Sequence, residues 1–382
     1  MARRKRVLIV ARNLPPYWGG MERLNWHIAE ELSREAEVRI VGPSGSAACA
    51  PAAVAVSEIP LKPLPWFLLK SMWRALQLAQ KWQPDIVLAG SGLTAPLCWI
   101  AARVCGASSV VYVHGLDVAV SHPIYRAIWF PTLRRMDRVV ANSRATAALA
   151  AELGIRAARI SIIHPGSDIS SRSPDVAAAG IFRSRSDIRD RPLLLSVGRL
   201  TRRKGLREFV SDVLPKIVAR RPEVLLVIVG DAPTHSLHAE VQTRQSIQDA
   251  ADAAGVGANI LFLGVITDQQ RLDEVYRSAD LHVFPVREIP GDPEGFGMVA
   301  LEAAARGVPT VAYSTGGIPD AVADGVSGVL VQPGDHERFA AEVVRLMADP
   351  AADEFRRTTY QFARQFGWGE FGAKLRATIL ER

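Results

Sequence analysis

What most constrains this chain is a repeated alternation. Short runs of β-branched and aliphatic residues, each closed by a polar or glycine-rich turn, are separated by stretches with helical period. "RVLIVA", "EVRIV", "DIVLAG", "SVVYVHG", "RVVANS" and "RISIIHPG" form one series, with "MERLNWHIAEEL" and "AALAAEL" among the helical stretches between them. A second series runs "PLLLSVGRL", "EVLLVIVGD", "NILFLGV", "DLHVFP", "VPTVAYS" and "SGVLVQP". Strand-helix-strand units of this kind build a parallel sheet covered on both faces. The series are separated by "ISSRSPDVAAAGIFRSRSDIRDRP", which has no strand pattern and is rich in Ser, Arg, Asp and Pro. The reading is a first α/β domain over 1–168, a linker over 169–190 and a second α/β domain over 191–360. The chain is helical only from Asp335 onward. In sheets like these, ligands bind beyond the carboxyl ends of the strands.

Composition narrows the class. At 382 residues and 48% hydrophobic, the chain has enough material for two cores. Cys49, Cys98 and Cys105 lack metal-ligand spacing and read as small core residues of a protein in a reducing compartment. The basic start "MARRKRVLIVARNLPP" is too short in its apolar run, and too soon broken by Arg12, for a signal peptide. No run is apolar enough to span a bilayer. The expectation is a cytoplasmic protein. Of the net charge of +7, residues 1–170 hold 20 Lys and Arg against 11 Asp and Glu. This basic half suits either a solvated surface or an acidic partner, and no recognition motif accompanies it to suggest nucleic acid.

Three loops carry chemistry. In "NLPPYWGGMERL", Gly19 and Gly20 open a helix at about Met21, where backbone N–H groups suit an anion; a turn that needs only glycine accounts for them equally well. In "LSVGRLTRRKGL", a strand ends at Gly198, and Arg199 and Lys204 flank a loop into a helix "GLREFVSDVLPKIV". Arginine's fork and lysine's point charge fit a diphosphate, whereas Arg202 and Arg203 read as solvated. In "DPEGFGMVALEAAARG" a helix starts near Phe296, with Glu294 just before it and Glu302 on its second turn. The N–H groups of Gly295, Phe296, Gly297, Met298 and Val299 suit phosphate or sugar oxygens, and carboxylates accept from hydroxyls. A ligand that is anionic in the middle and rich in hydroxyls at both ends satisfies the whole set. A nucleotide sugar has that shape, with ribose at Glu302 and hexose at Glu294. The plainer alternative makes Glu294 a helix cap and Glu302 a solvated residue.

These motifs resemble the retaining glycosyltransferases of family 4. "EGFGMVALEAAARGVPTVA" matches that family's two glutamates with seven residues between them, and "SVGRLTRRKGL", "GVITDQQRLDEVYRSADLHVFP" and "GGIPDAVADGVSGVLVQPGD" match its C-terminal domain. "PPYWGGMERL" and "VHGLD" match its N-terminal domain. The resemblance implies the GT-B fold: two Rossmann-like doubly wound domains facing across a cleft, with a last helix, 361–382, crossing back to the first. It implies a phosphate contact at Gly20, a donor-sugar contact at His114, and a nucleobase pocket made largely of backbone at Gly264, Val265 and Ile266. The catalytic set is then His114, Arg199, Lys204 and Glu294, with donor contacts also from Gly19 and Gly198. It further implies hexose transfer with retained configuration, no cofactor and no metal. "VREIPGDPEGFG" is longer than is common before the first glutamate, as in some lipid-directed mannosyltransferases, which leans the donor toward GDP-mannose.

The acceptor is open: lipid-linked, glycan or small molecule. "PLPWFLLKSMWRALQLAQKW", Pro63 to Trp82, offers Trp66, Phe67, Leu69, Trp73 and Leu76 as an apolar face and Lys70, Arg74, Gln77 and Lys81 as a cationic one. That pattern suits either a helix covering a sheet or an interfacial helix on an anionic membrane surface. A nucleotide-sugar epimerase or hydrolase, or a non-catalytic sensor, remains an alternative on the same scaffold.

Overall fold

The structure is a computed structural model that describes residues 3–169, 182–184, 188, 191–233 and 240–381. It divides into two compact units: Met1–Gly166 with Trp368–Arg382, and Ser167–Gly367. The return to the first unit therefore begins at Trp368 rather than at 361. Most of the expected linker lies outside the described residues. Within it, Phe182 and Ile188 are buried in a core cluster of the second unit.

The first unit holds a seven-stranded sheet in the order β3-β2-β1-β4-β5-β6-β7. Its strands are β1 Arg6–Val10, β2 Glu37–Pro43, β3 Val54–Ile59, β4 Ile86–Ala89, β5 Ser108–Val113, β6 Arg138–Ala141 and β7 Ile160–Ile162, and every pairing is parallel. The sequence pattern missed β3, an edge strand. Right-handed crossovers put the helices Leu64–Trp82, Ala95–Cys105 and Pro123–Arg135 on one face of the sheet. One cluster, which includes Leu78, Leu97, Cys98, Phe130 and Leu133, seals that face. Cys98 meets the core expectation, Cys105 is half-buried, and Cys49 departs from it by being exposed.

Helix Gly20–Ser33 packs instead against the returning helix Trp368–Leu380. His27 stacks on Trp368 with ring centroids 3.7 Å apart, and Arg376 reaches the fully buried Glu31 at 2.5 Å and Glu35 at 2.8 Å. Gly372 lies against Glu31, where a Cβ would collide with the carboxylate. Arg138 donates to the Thr378 carbonyl at 2.5 Å, and Lys5 to that of Leu380.

The second unit holds six parallel strands in the order β10-β9-β8-β11-β12-β13. These are β8 Leu193–Val197, β9 Leu225–Val229, β10 Ile260–Gly264, β11 Leu281–Phe284, β12 Thr310–Tyr313 and β13 Gly328–Val331. The helical stretch expected after Gly205 is two pieces, Leu206–Asp212 and Leu214–Val218. Pro215 explains the break, since it has no N–H to continue the ladder. Both sheets are parallel and doubly wound, and among the described residues no helix is long and apolar enough to cross a membrane.

Candidate active site

In each sheet the strand order reverses at one point, the place beyond which open α/β sheets bind their ligands. In the second unit that point lies between β8 and β11. The loop after β8 carries Arg199 and a 3-10 turn, Arg202–Lys204, and the loop after β11 carries Asp292 and Glu294. The loops are tied together, for the Arg287 N–H donates to the Arg203 carbonyl at 2.8 Å. Gly205, at φ +71°, closes the turn against the Pro285 carbonyl, where any Cβ would collide. The loop after β12 supports Glu294 from behind: Gly317 N–H donates to its carbonyl at 2.8 Å, and Gly316, at φ +51°, lies too close to that carbonyl for a side chain.

These contacts bring Lys204 and Glu294 together. Lys204 Nζ donates to Glu294 Oε2 at 2.9 Å and lies 4.5 Å from the centroid of the Phe284 ring. Arg203 donates to the same carboxylate oxygen and places its Nε 3.2 Å from Asp292. Arg203 is thus a nearly buried bridge between two carboxylates, not the solvated residue its sequence context suggests. Arg202 is solvated, with half its side chain exposed and paired to Glu240. Burial acts to raise the Glu294 carboxyl, but Arg203, Lys204 and Arg199 outweigh it and hold the group at about 2. Burial likewise lowers the Lys204 ammonium, with Glu294 opposing. Glu294 is therefore an ionised acceptor at neutral pH.

The helix after Glu294 begins at Met298, two residues later than expected, and runs to Ala304. Gly297, at φ +94°, occupies its cap position and no side chain caps the helix, so Glu294 is not a cap. Phe296 is buried in a core cluster, and Val299 packs against Phe284 and its neighbours, which leaves chiefly their backbone for a ligand. Glu302 is buried, not solvated, and accepts from the Tyr276 hydroxyl at 2.9 Å. Gly198 follows β8 and Gly264 ends β10, on either side of Gly230, whose N–H donates to the Gly264 carbonyl at 2.8 Å. Beyond Gly264, Val265 is exposed and Ile266 half-buried.

The first unit's reversal point lies between β1 and β4, and the remaining candidates lie beside it. Helix Gly20–Ser33 starts at Gly20, with Gly19 as its cap. Glu22 turns back over Gly19 and accepts from Asn13 at 2.6 Å. Arg12, two residues beyond β1, carries a buried Nε with no partner among the described residues, and burial lowers its pKa against the pull of Glu22 and Tyr17. His114 follows β5, and its Nε2 lies 2.9 Å from the Gly90 carbonyl, an atom that only accepts. That contact puts the proton on Nε2. Arg12, Arg203 and Asp292 are additions that sequence reasoning did not supply. The sequence signal for Asp292 was the lengthened loop itself.

Two family models match the chain: Glycosyltransferase Family 4 over residues 18–171 and Glycosyl transferases group 1 over 181–366. A GDP-mannose-dependent alpha-(1-6)-phosphatidylinositol monomannoside mannosyltransferase from Mycolicibacterium smegmatis is 30% identical over 90% of each chain. A D-inositol 3-phosphate glycosyltransferase from Segniliparus rotundus is 30% identical over 76% of this chain and 64% of its own. Among solved structures, Anabaena Alr3699/HepE in complex with UDP superposes with a TM-score of 0.78 at 20% identity, covering 98% of this chain and 99% of that one. Sucrose-phosphate synthase from Thermosynechococcus elongatus gives 0.79 at 22%, covering 97% of each. With the GT-B fold in both units and a relative matched nearly end to end, the chain belongs to the group 1, family 4 glycosyltransferases.

Proposed function

We propose that the protein transfers mannose from GDP-mannose to a hydroxyl of a lipid-linked acceptor, with retained anomeric configuration. The observation that carries this reading is the cluster of Arg199, Arg203 and Lys204 around an ionised Glu294, seated where the second sheet reverses order. Three cations in one crevice favour a diphosphate, and the acceptor-only carboxylate favours sugar hydroxyls. The lean to GDP-mannose comes from the mycobacterial relative and the long loop holding Asp292. In the second unit Glu294 would hold the hexose and Glu302 the ribose; in the first, Arg12, Gly19 and Gly20 suit phosphate and His114 suits a sugar.

In the reaction, the bond from the anomeric carbon to the diphosphate oxygen breaks as the acceptor oxygen bonds that carbon on the same face. The acceptor proton passes to the departing phosphate oxygen. The side chains supply charge stabilisation at the leaving group and positioning. The cations already present would meet the leaving charge, so transfer is proposed to need neither metal nor cofactor, and a chelator should leave turnover unchanged. An epimerase or hydrolase would consume donor without acceptor, so product formation that depends on acceptor separates the readings.

The test is thermal stabilisation by GDP, UDP and ADP, with Glu302→Ala in parallel. A ligand bound only by the native state raises its melting temperature. The expected result is a shift with GDP that the variant loses; a shift with UDP or ADP instead would reassign the base, and none with any would remove the donor site.

A further inference from the structure

The helix Leu64–Trp82 does not bury the face its sequence suggests. Phe67, Ser71, Ala75, Leu78, Ala79 and Trp82 point inward, while Trp66, Leu69 and Trp73 stand in water, each at least half exposed. Phe67 thus leaves the expected apolar face for the core. Two helices on the same side of the sheet add to the exposed set. Ala95–Cys105 packs beside Leu64–Trp82 and shows Val104, and Pro123–Arg135 packs beside it in turn and shows Ile124 and Ile128.

Charge on these three helices is one-sided. They carry Lys70, Arg74, Lys81, Arg103, Arg126, Arg134 and Arg135, and no Asp or Glu. Lys70 lies 6.0 Å from the Trp66 ring, and Arg103 and Arg135 flank Trp99 at 5.9 and 5.8 Å. Water-exposed tryptophans beside cations, with no acid among them, match the boundary between lipid headgroups and acyl chains. A second copy of this chain would set like charges against like; among the seven, Arg103 is paired to Asp137 at 3.0 Å, and an anionic lipid surface answers the others.

We propose that this three-helix face docks on an anionic lipid surface. Trp66, Leu69, Ile124 and Ile128 occupy the first halves of their helices, toward the carboxyl ends of the strands. His114 lies at that same edge of the sheet. The docked face therefore brings that edge of the first unit, with His114, to the membrane, where a lipid-linked acceptor would be met without leaving the bilayer. The last step rests on the proposed transferase function; the docking does not.

The experiment is co-sedimentation of the full chain with vesicles of phosphatidylcholine or of phosphatidylcholine with phosphatidylglycerol. The wild type is expected to bind the anionic vesicles, less so in high salt, and Trp66→Ala with Trp73→Ala to cut the partition coefficient by about tenfold or more. Ile124→Asp, on a different helix, should weaken binding too. The replaced side chains are exposed, so melting temperatures should hold and a folding defect is excluded directly. Absence of binding, equal binding to both vesicles, unchanged binding by both variants, or lipid-free self-association that the double variant abolishes would each overturn the proposal. Nucleotide-induced stabilisation, measured on the same samples, reports on the donor site separately.

Discussion

Lys204 and Arg203 both direct their charge to Glu294. A diphosphate entering the crevice competes with that carboxylate for the same cations. Glu294→Gln keeps the shape and removes the competition, so it should bind GDP more tightly, by about fivefold for 1 kcal/mol, while losing turnover. Lys204→Ala should lose both, with turnover down by about 10² or more, the cost of removing a preorganised donor to a developing anion. Calorimetry with GDP beside steady-state rates separates the two patterns. Near-normal turnover in Lys204→Ala would sink the mechanism. The sequence made Arg199, Lys204 and Glu294 legible because their loops follow recognisable strands. It took Arg203 for a solvated residue because the geometry of the turn decides which of three consecutive basic residues point inward, and Gly205 and the Pro285 carbonyl set that turn from a distance.

Between elements, the clearest dependence is that of helix Gly20–Ser33 on helix Trp368–Leu380. Glu31 is fully buried at their interface, and Arg376 partners it from the facing helix, with the more exposed Arg34 on its own helix at 2.9 Å. Removing one partner of a buried pair strands the other's charge, so Arg376→Ala should cost about 3 kcal/mol in chemical denaturation. A loss below about 0.5 kcal/mol, the scale of an ordinary surface change, would mean Arg34 already suffices. The first helix was readable from period and the return of the last to the first domain was implied by the family resemblance, but the pairing of Glu31 with Arg376 was not, since more than three hundred positions separate them. The same limit governed helix Leu64–Trp82. Its apolar residues spread over more than one face, and only the sheet beneath decides that Phe67 goes in and Trp66 stays out. β3 escaped notice because an edge strand needs no continuous apolar run.

At the scale of the whole molecule, each unit contains one histidine held neutral. Burial lowers His27 in the first unit and His282 in the second to about 3, aided by Arg23 and Lys204 respectively. An unfolded imidazole titrates near 6.5, so between pH 6.5 and 3 the unfolded chain binds the extra proton and stability falls as pH drops. Each group should withdraw about 2 kcal/mol by pH 5. Melting curves from pH 7.5 to 5 are expected to fall steeply, and His282→Gln should flatten the slope; a flat wild-type profile would contradict the burial of both rings.

The returning helix also sets an order of manufacture. The second unit is complete in sequence at Gly367, whereas the first lacks the helix that covers Gly20–Ser33 until residues 368–380 have left the ribosome. During synthesis the part made first is thus the part finished last. Its uncovered flank, with Glu31 still lacking Arg376, stays open to chaperones and proteases throughout the translation of some two hundred intervening residues.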